Sequence, residues 1–325
     1  MKIGIIGVGV IAQIHIPAIL SANQDVVALC DVDLPRCFAA QEKFGLTASV
    51  YADYLSMLDT EQLDAVHICT PHYLHAEMVC ECLKRNVNVL CEKPLAINNE
   101  QLAQIERAQK NSAAQLGVCQ QNRFNASVRY VKEYFANKPI TAGCGTLCWQ
   151  RDGAYYASGD WRGKKSLEGG GVLINQALHT LDLLQWFCGM PTSVIGRAFN
   201  DTLPQIDVEQ TAAGVFETAN GKFVINATNC CSASFPISLM FRSGNDEAVI
   251  IGDNIILNGK FITRSDGLPI FGKEVWGAGH VTLIKRFYEC ISHSEKFPID
   301  FYEGQKVVKL ITALYRSNGD KIPIK

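Results

Sequence analysis

From residue 1 to about 120, short runs rich in β-branched residues alternate with longer segments whose apolar positions recur at helical spacing. The runs are KIGII, DVVALCD, LDAVHICT, NVNVLCE and AQLGVC. Between them lie IAQIHIPAILSAN, PRCFAAQEKFG, HYLHAEMVCECLKRN and NEQLAQIERAQKN. Strand-like runs separated by amphipathic helices predict parallel βαβ units, and hence a doubly wound Rossmann-type sheet. After about residue 120 the pattern changes. The segments QTAAGVFETANGKFVINATNC and EAVIIGDNIILNGKFITR alternate over long stretches, turn at ANG and NG, and read as antiparallel strands. Helical patterns at roughly 124–136, 172–188, 279–294 and 303–317 punctuate them. The expected fold class is α/β. Residues 1–120 form the parallel-sheet domain, and residues 121–325 form an α+β domain with a large, mostly antiparallel open sheet. The last helix, about 303–317, is free to pack back on the first domain.

Composition agrees with two cores. A chain of 325 residues, 48% of them hydrophobic, exceeds the size at which one core stops growing. A net charge of −2 and a pI near 6.4 supply no long-range positive field, and no basic run is interleaved with aromatics. Nucleic acid is therefore not an expected partner. The opening MKIGIIGVGV lacks a charged leader and a cleavage site, and no stretch offers the roughly 20 apolar residues of a membrane helix. A cytoplasmic protein without membrane attachment is expected. The 13 cysteines lie inside apolar runs such as VVALCD and AVHICT, where Cys acts as a small hydrophobe, so a reducing compartment fits them. No zinc-like Cys spacing is present, and no metal is expected.

Gly7-Val8-Gly9-Val10-Ile11-Ala12 follows the first strand and opens the first helix, matching G-x-G-x-x-[GA]. The first glycine allows a tight turn, the second lets a pyrophosphate approach the backbone, and the small Ala12 lets helix approach strand. The alternative is a Gly-rich turn without a ligand. Asp31 closes the second strand about twenty residues on, where a carboxylate accepts from ribose hydroxyls and repels a 2′-phosphate. The pair points to NAD binding in preference to NADP. Arg36 either softens that preference or is a solvated helix residue.

Ligands of open parallel sheets bind beyond the carboxyl ends of strands, and three such ends carry chemistry: Thr70-Pro71-His72-Tyr73-Leu74-His75, Glu92-Lys93-Pro94 and Gln120-Gln121-Asn122-Arg123-Phe124. Thr70, Pro71, His75, Glu92, Lys93 and Gln121 are the cofactor-contact candidates. His75 takes a helix-cap or cofactor-edge role, and His72 and His75 lack a third metal ligand. Lys93 can hydrogen-bond a substrate oxygen and exchange a proton with it, its pKa depressed by partial burial and a cationic nicotinamide. Its structural alternative is an ion pair with Glu92. Pro94 ends the strand, with either isomer of the Lys93–Pro94 bond open.

Together with DWRG, GGGVLINQALHTLD and DFYEGQKVV, these motifs resemble the glucose–fructose oxidoreductase, inositol dehydrogenase and rhizopine-catabolism family, across essentially the whole chain. The resemblance implies an NAD(P)-dependent oxidoreductase acting on sugars, cyclitols or related polyols, forming a homodimer or homotetramer. It implies that Lys93 and His179 handle the hydroxyl proton and that Trp161 and Arg162 reach the cofactor. Many members carry Asp four residues before the histidine. Here it is Asn175, which cannot act as a base but can hold a hydroxyl one helical turn below His179. Trp161, Arg123 and Tyr155 complete the substrate-binding candidates, Tyr155 through a weaker likeness to branches acting on nucleotide-linked sugars.

Each has a structural alternative. His179 and Trp161 can be core residues, His179 paired with Asp182, and Arg162 a surface pair. Arg123 binds either an anionic substituent or a structural carboxylate. Two other functions stay open: an NAD-dependent glycosidase using transient oxidation, and a non-catalytic NAD-binding regulator.

Overall fold

The computed structural model describes residues 1–200, 202–272 and 277–324. They form two compact units. Residues 1–96, 100–124 and 268–305 make the first, and residues 97–99, 125–267 and 306–325 make the second, so the stretch 268–305 returns to the first unit late in the chain.

In the first unit, strands β1 (Lys2–Ile6), β2 (Asp25–Cys30), β3 (Ser49–Tyr51), β4 (Ala65–Ile68), β5 (Asn88–Cys91) and β6 (Leu116–Val118) form one parallel sheet, ordered β3-β2-β1-β4-β5-β6. Helices α1 (Ala12–Ser21), α2 (Leu34–Phe44), α3 (Tyr54–Thr60), α4 (His75–Lys84) and α5 (Asn99–Lys110) supply the crossovers. This is the Rossmann order, with its ligand crevice where β1 and β4 diverge. β3 was not foreseen: three residues paired with Ala28–Cys30 are too short to show alternation. Ile6 pairs Ile68, Ile68 pairs Cys91 and Cys91 pairs Val118. The next residues, Gly7, Cys69, Glu92 and Cys119, therefore stand in one row across the carboxyl edge.

The second unit holds α6 (Ala126–Tyr134), β7 (Ala142–Cys148), α7 (Gly153–Ala157), α8 (Lys165–Glu168), α9 (Val172–Asn175) and α10 (Leu178–Cys188). They are followed by β8 (Ser193–Phe199), β9 (Thr211–Glu217), β10 (Lys222–Thr228), β11 (Ser238–Ser243), β12 (Asp246–Ile251), β13 (Asn254–Leu257) and β14 (Lys260–Thr263). After α11 (Gly279–Ser292) of the first unit and α12 (Phe301–Ser317), which spans both sets of residues, the short β15 (Ile322–Pro323) closes the sheet. The order is β14-β13-β12-β11-β7-β10-β9-β8-β15, and every neighbouring pair is antiparallel except β7 with β10. Helix α10 covers this sheet. A Cβ at Gly145 of β7 would lie 2.6 Å from Thr180 Cγ2, so glycine there permits the helix to settle on the strands.

The triple glycine before α9 is a close-packing device. Glu209 accepts from Gly171 N–H at 2.8 Å, Leu173 N–H at 2.9 Å and Tyr315 Oη–H at 2.8 Å. A Cβ on Gly171 would sit 1.9 Å from the Glu209 carbonyl oxygen. Gly171→Ala is expected to cost at least ~2 kcal/mol, lowering the urea midpoint, because backbone must move to admit the methyl. An unchanged midpoint would refute that packing argument.

Candidate active site

The carboxyl edge of the first sheet gathers the residues expected to hold a dinucleotide. Gly7 adopts φ +87°, and a Cβ there would lie 2.8 Å from the Cys69 carbonyl carbon and oxygen, so the turn out of β1 requires glycine. A Cβ on Gly9 would meet nothing within 4 Å. The loop is thus closed on its protein side at Gly7 and open at Gly9, next to the α1 N-terminus whose first N–H groups have no intrahelical acceptor. Ala12 is fully buried. Val10 stands out into solvent, as does Val32 just beyond β2, an apolar pair that alternation did not single out.

Asp31 does more than was foreseen. Its Oδ2 accepts from Val8 N–H at 2.8 Å and its Oδ1 from Asp33 N–H at 2.9 Å, while Arg36 lies 4.0 Å away. The carboxylate therefore shapes the glycine loop and keeps lone pairs for a diol. At the end of β6, Gln120 Nε2 and Oε1 and Gln121 Oε1 are buried without a hydrogen-bond partner among the described residues. Buried amides of this kind suit a bound polar ligand. These residues fit NAD: a glycine cradle, a diol acceptor and unsatisfied amides along one strand edge.

Lys93 lies two residues beyond the end of β5. Its N–H donates to Glu92 Oε2 at 3.1 Å, and the Lys93–Pro94 bond is cis. His75 is fully buried, with Nδ1 at 2.6 Å from Pro94 O and Nε2 at 2.9 Å from Thr70 O. Both ring nitrogens face carbonyl oxygens, of which a neutral ring donates to one, and burial lowers its pKa against those backbone bonds. Arg123 is buried and paired with Glu303 at 3.0 Å, which gives it a structural carboxylate.

Glu92 is enclosed by groups that local patterns did not reveal. His15 Nε2 lies 2.9 Å from its Oε1 and His280 Nε2 3.7 Å, with the Cys119 thiol in the same cluster. Burial alone would raise this carboxyl, but the two imidazoles outweigh burial and hold it well below the usual range. Burial also lowers the pKa of His67, His75 and His280. For a histidine depressed in the fold, stability is complete above the unfolded value of about 6.5 and is lost as the unfolded chain takes up protons below it. Glu92 withdraws its contribution only further down, below about 4.5. Unfolding free energy, measured by denaturant titration, is thus expected to fall between about pH 7 and about pH 5, by at most about 1.4 kcal/mol per pH unit for each histidine. A flat profile would contradict neutral burial.

The second unit builds a polar cluster on α7–α10. Tyr155 Oη accepts from Asn175 Nδ2 at 3.1 Å, from Gln176 Nε2 at 3.2 Å and from Arg162. The Arg151 and Arg162 guanidinium carbons lie 4.7 and 4.5 Å from the Tyr155 ring, and Arg162 lies 4.6 Å from that of Trp161. Asn175 also donates to Glu168, a buried carboxylate that accepts from Gly163 N–H at 2.6 Å and whose pKa burial raises. His179 is buried in the first turn of α10. Asn175 does not lie on the same helix as His179, as the spacing had suggested. α9 ends at Asn175 and α10 begins at Leu178, because Ala177 N–H returns to Val172 O, five residues back, at 2.7 Å.

Arg151, Arg162 and Glu168, with the hydroxyl of Tyr155 and the amide of Asn175, make a polar cluster suited to a hydroxyl-rich ligand. All 13 cysteines are free thiols. Among the described residues no helix is long and apolar enough to cross a membrane.

Residues 1–120 match the family described as "Oxidoreductase family, NAD-binding Rossmann fold", and residues 140–254 match the GFO/IDH/MocA C-terminal domain. D-glucoside 3-dehydrogenase of Escherichia coli is 26% identical, over 98% of this chain and 95% of its own length. Myo-inositol 2-dehydrogenase of Thermotoga maritima is 27% identical over 67% of this chain and 63% of its own. Among solved structures, the WlbA dehydrogenase of Bordetella pertussis, in complex with NADH and UDP-GlcNAcA, is 25% identical with a TM-score of 0.86, covering 100% of this chain and 98% of that one.

Proposed function

This chain belongs to the Gfo/Idh/MocA family of NAD-dependent dehydrogenases, and from that premise we propose that it oxidises a ring hydroxyl of a sugar, glycoside or cyclitol, with Lys93 and His179 handling the hydroxyl proton. NAD, when bound, supplies the hydride acceptor at nicotinamide C4. The observation that carries the reading is the clamp on Lys93. Its N–H is held by the Glu92 carboxylate and the next carbonyl by His75, at 3.1 and 2.6 Å. A lysine fixed in this way at a strand end serves a directed contact.

His179 is the proton acceptor, since imidazole is the side chain whose ordinary pKa lies nearest neutrality. Lys93 positions the hydroxyl and stabilises negative charge on its oxygen as the proton leaves. Asn175, Tyr155, Arg162 and Trp161 orient the ring through its other hydroxyls. Asp31 favours NAD over NADP by repelling a 2′-phosphate.

Screening NADH formation across free sugars, glycosides, cyclitols and nucleotide sugars tests the proposal. At least one class is expected to reduce NAD in a saturable, enzyme-dependent way, faster than it reduces NADP. Failure of every class would overturn the assignment.

A further inference from the structure

Beneath Lys93 runs a chain of buried hydrogen bonds that crosses three elements of the first unit. Tyr288 Oη on α11 lies 2.7 Å from His67 Nε2 on β4, His67 Nδ1 lies 2.8 Å from His15 Nδ1 on α1, and His15 Nε2 lies 2.9 Å from Glu92 Oε1. Glu92 Oε2 then accepts from the Lys93 N–H at 3.1 Å. His15 and His67 are fully buried, and Tyr288 and Glu92 nearly so.

The donors and acceptors fix its direction. Two Nδ1 atoms in contact require one to donate and the other to accept. If His15 donated, His67 would donate to Tyr288, whose own hydroxyl proton would be buried with no other acceptor among the described residues. That arrangement carries the full desolvation penalty of a buried, unsatisfied donor. In the other direction each group is satisfied. Tyr288 donates to His67, His67 to His15 and His15 to Glu92, leaving one negative charge, on Glu92.

We propose that Glu92, His15, His67 and Tyr288 are positioning residues for Lys93, a one-way hydrogen-bonded chain that anchors a single buried negative charge against the lysine's backbone amide. The proposal rests on the reading of Lys93 as a proton-handling group. His280 and Cys119 flank the charge, and their atoms with those of His15 and Glu92 lie within 4.8 Å of one another. That set has the donor types of a metal site, but 2.9 Å between His15 and Glu92 is a hydrogen bond. Two donors on one tetrahedral ion stand roughly 3.3 Å apart.

Nitrogen NMR of histidine-labelled full-length protein with saturating NAD tests the direction. His15 is expected as the Nε2–H tautomer and His67 as the Nδ1–H tautomer; the reverse pair, or a doubly protonated His15, would overturn the chain. Kinetics test the purpose. Glu92→Gln offers one carbonyl oxygen where two donors need acceptors, and is expected to lower kcat about 100-fold with the NAD dissociation constant changed by no more than about twofold.

Glu92→Asp is expected to recover part of the loss. Tyr288→Phe, at the far end, leaves His67 Nε2 without a donor and is expected to lower kcat several-fold with the NAD dissociation constant unchanged. Wild-type kcat in Glu92→Gln, or a loss confined to KM, would overturn the positioning role. So would stoichiometric zinc or iron in purified protein that His15→Asn removes. Full activity in Lys93→Ala would defeat the reading of the lysine instead, and the tautomers would still judge the chain on their own.

Discussion

Lys93→Ala and His179→Ala are each expected to lower kcat by ~10²–10⁴-fold while NAD binds with nearly unchanged affinity. The magnitude follows from the loss of a positioned group that exchanges or stabilises a proton. Sparing of NAD affinity follows from where the proposed cradle lies, in the glycine loop after β1 and in Asp31 just beyond β2. Neither variant touches those groups. Lys93→Ala removes only the side chain and keeps the amide that Glu92 holds, so the strand end keeps its anchor. The two losses are expected to be less than additive if, as proposed, both groups act on one proton. Steady-state rates and NAD titration of purified variants check this, and full activity in both would remove the proton-handling assignment.

The second large effect separates two glycines of one loop. Gly9→Val is expected to fold with a near wild-type midpoint and to weaken NAD binding more than ~100-fold, because a Cβ there meets no protein atom within 4 Å and the side chain points into the proposed pyrophosphate space. Gly7→Val is expected to damage folding itself. Its φ of +87° disfavours a β-branched residue, and the Cβ would lie 2.8 Å from the Cys69 carbonyl. Thermal melts without NAD and titration with it distinguish the two. Equal behaviour of both variants would mean that the loop is not a dinucleotide cradle.

The features legible in the sequence were those carried by adjacent residues. The glycine loop, the acid at the end of β2 and the Glu92-Lys93-Pro94 strand end each announce themselves within a few positions, and strand alternation announced the hairpins β9–β10 and β12–β14, while β11 went unread. Assembly across the chain stayed hidden. Glu92 read as a cofactor contact or a partner for Lys93, whereas its neighbours His15 and His280 come from α1 and α11, far apart in sequence.

A signal was nevertheless present. His67 interrupts an otherwise apolar strand that is buried on both faces, and such a residue must find a partner. Glu168 and Glu209, the buried acids of the second unit, had no comparable mark, since each is satisfied by backbone amides that only the fold brings near. The break between α9 and α10 was hidden for a related reason: continuous apolar spacing does not reveal a one-residue slip in hydrogen bonding.

Direct transfer of hydrogen from sugar to nicotinamide is the most direct test of the central claim. A sugar that reduces NAD in the screen would be prepared with deuterium on the oxidised carbon and turned over by the wild-type protein. The account predicts that the NADH formed carries that deuterium at C4. NADH without deuterium, or release of a leaving group with the label returned to the sugar and no net NADH, would contradict it.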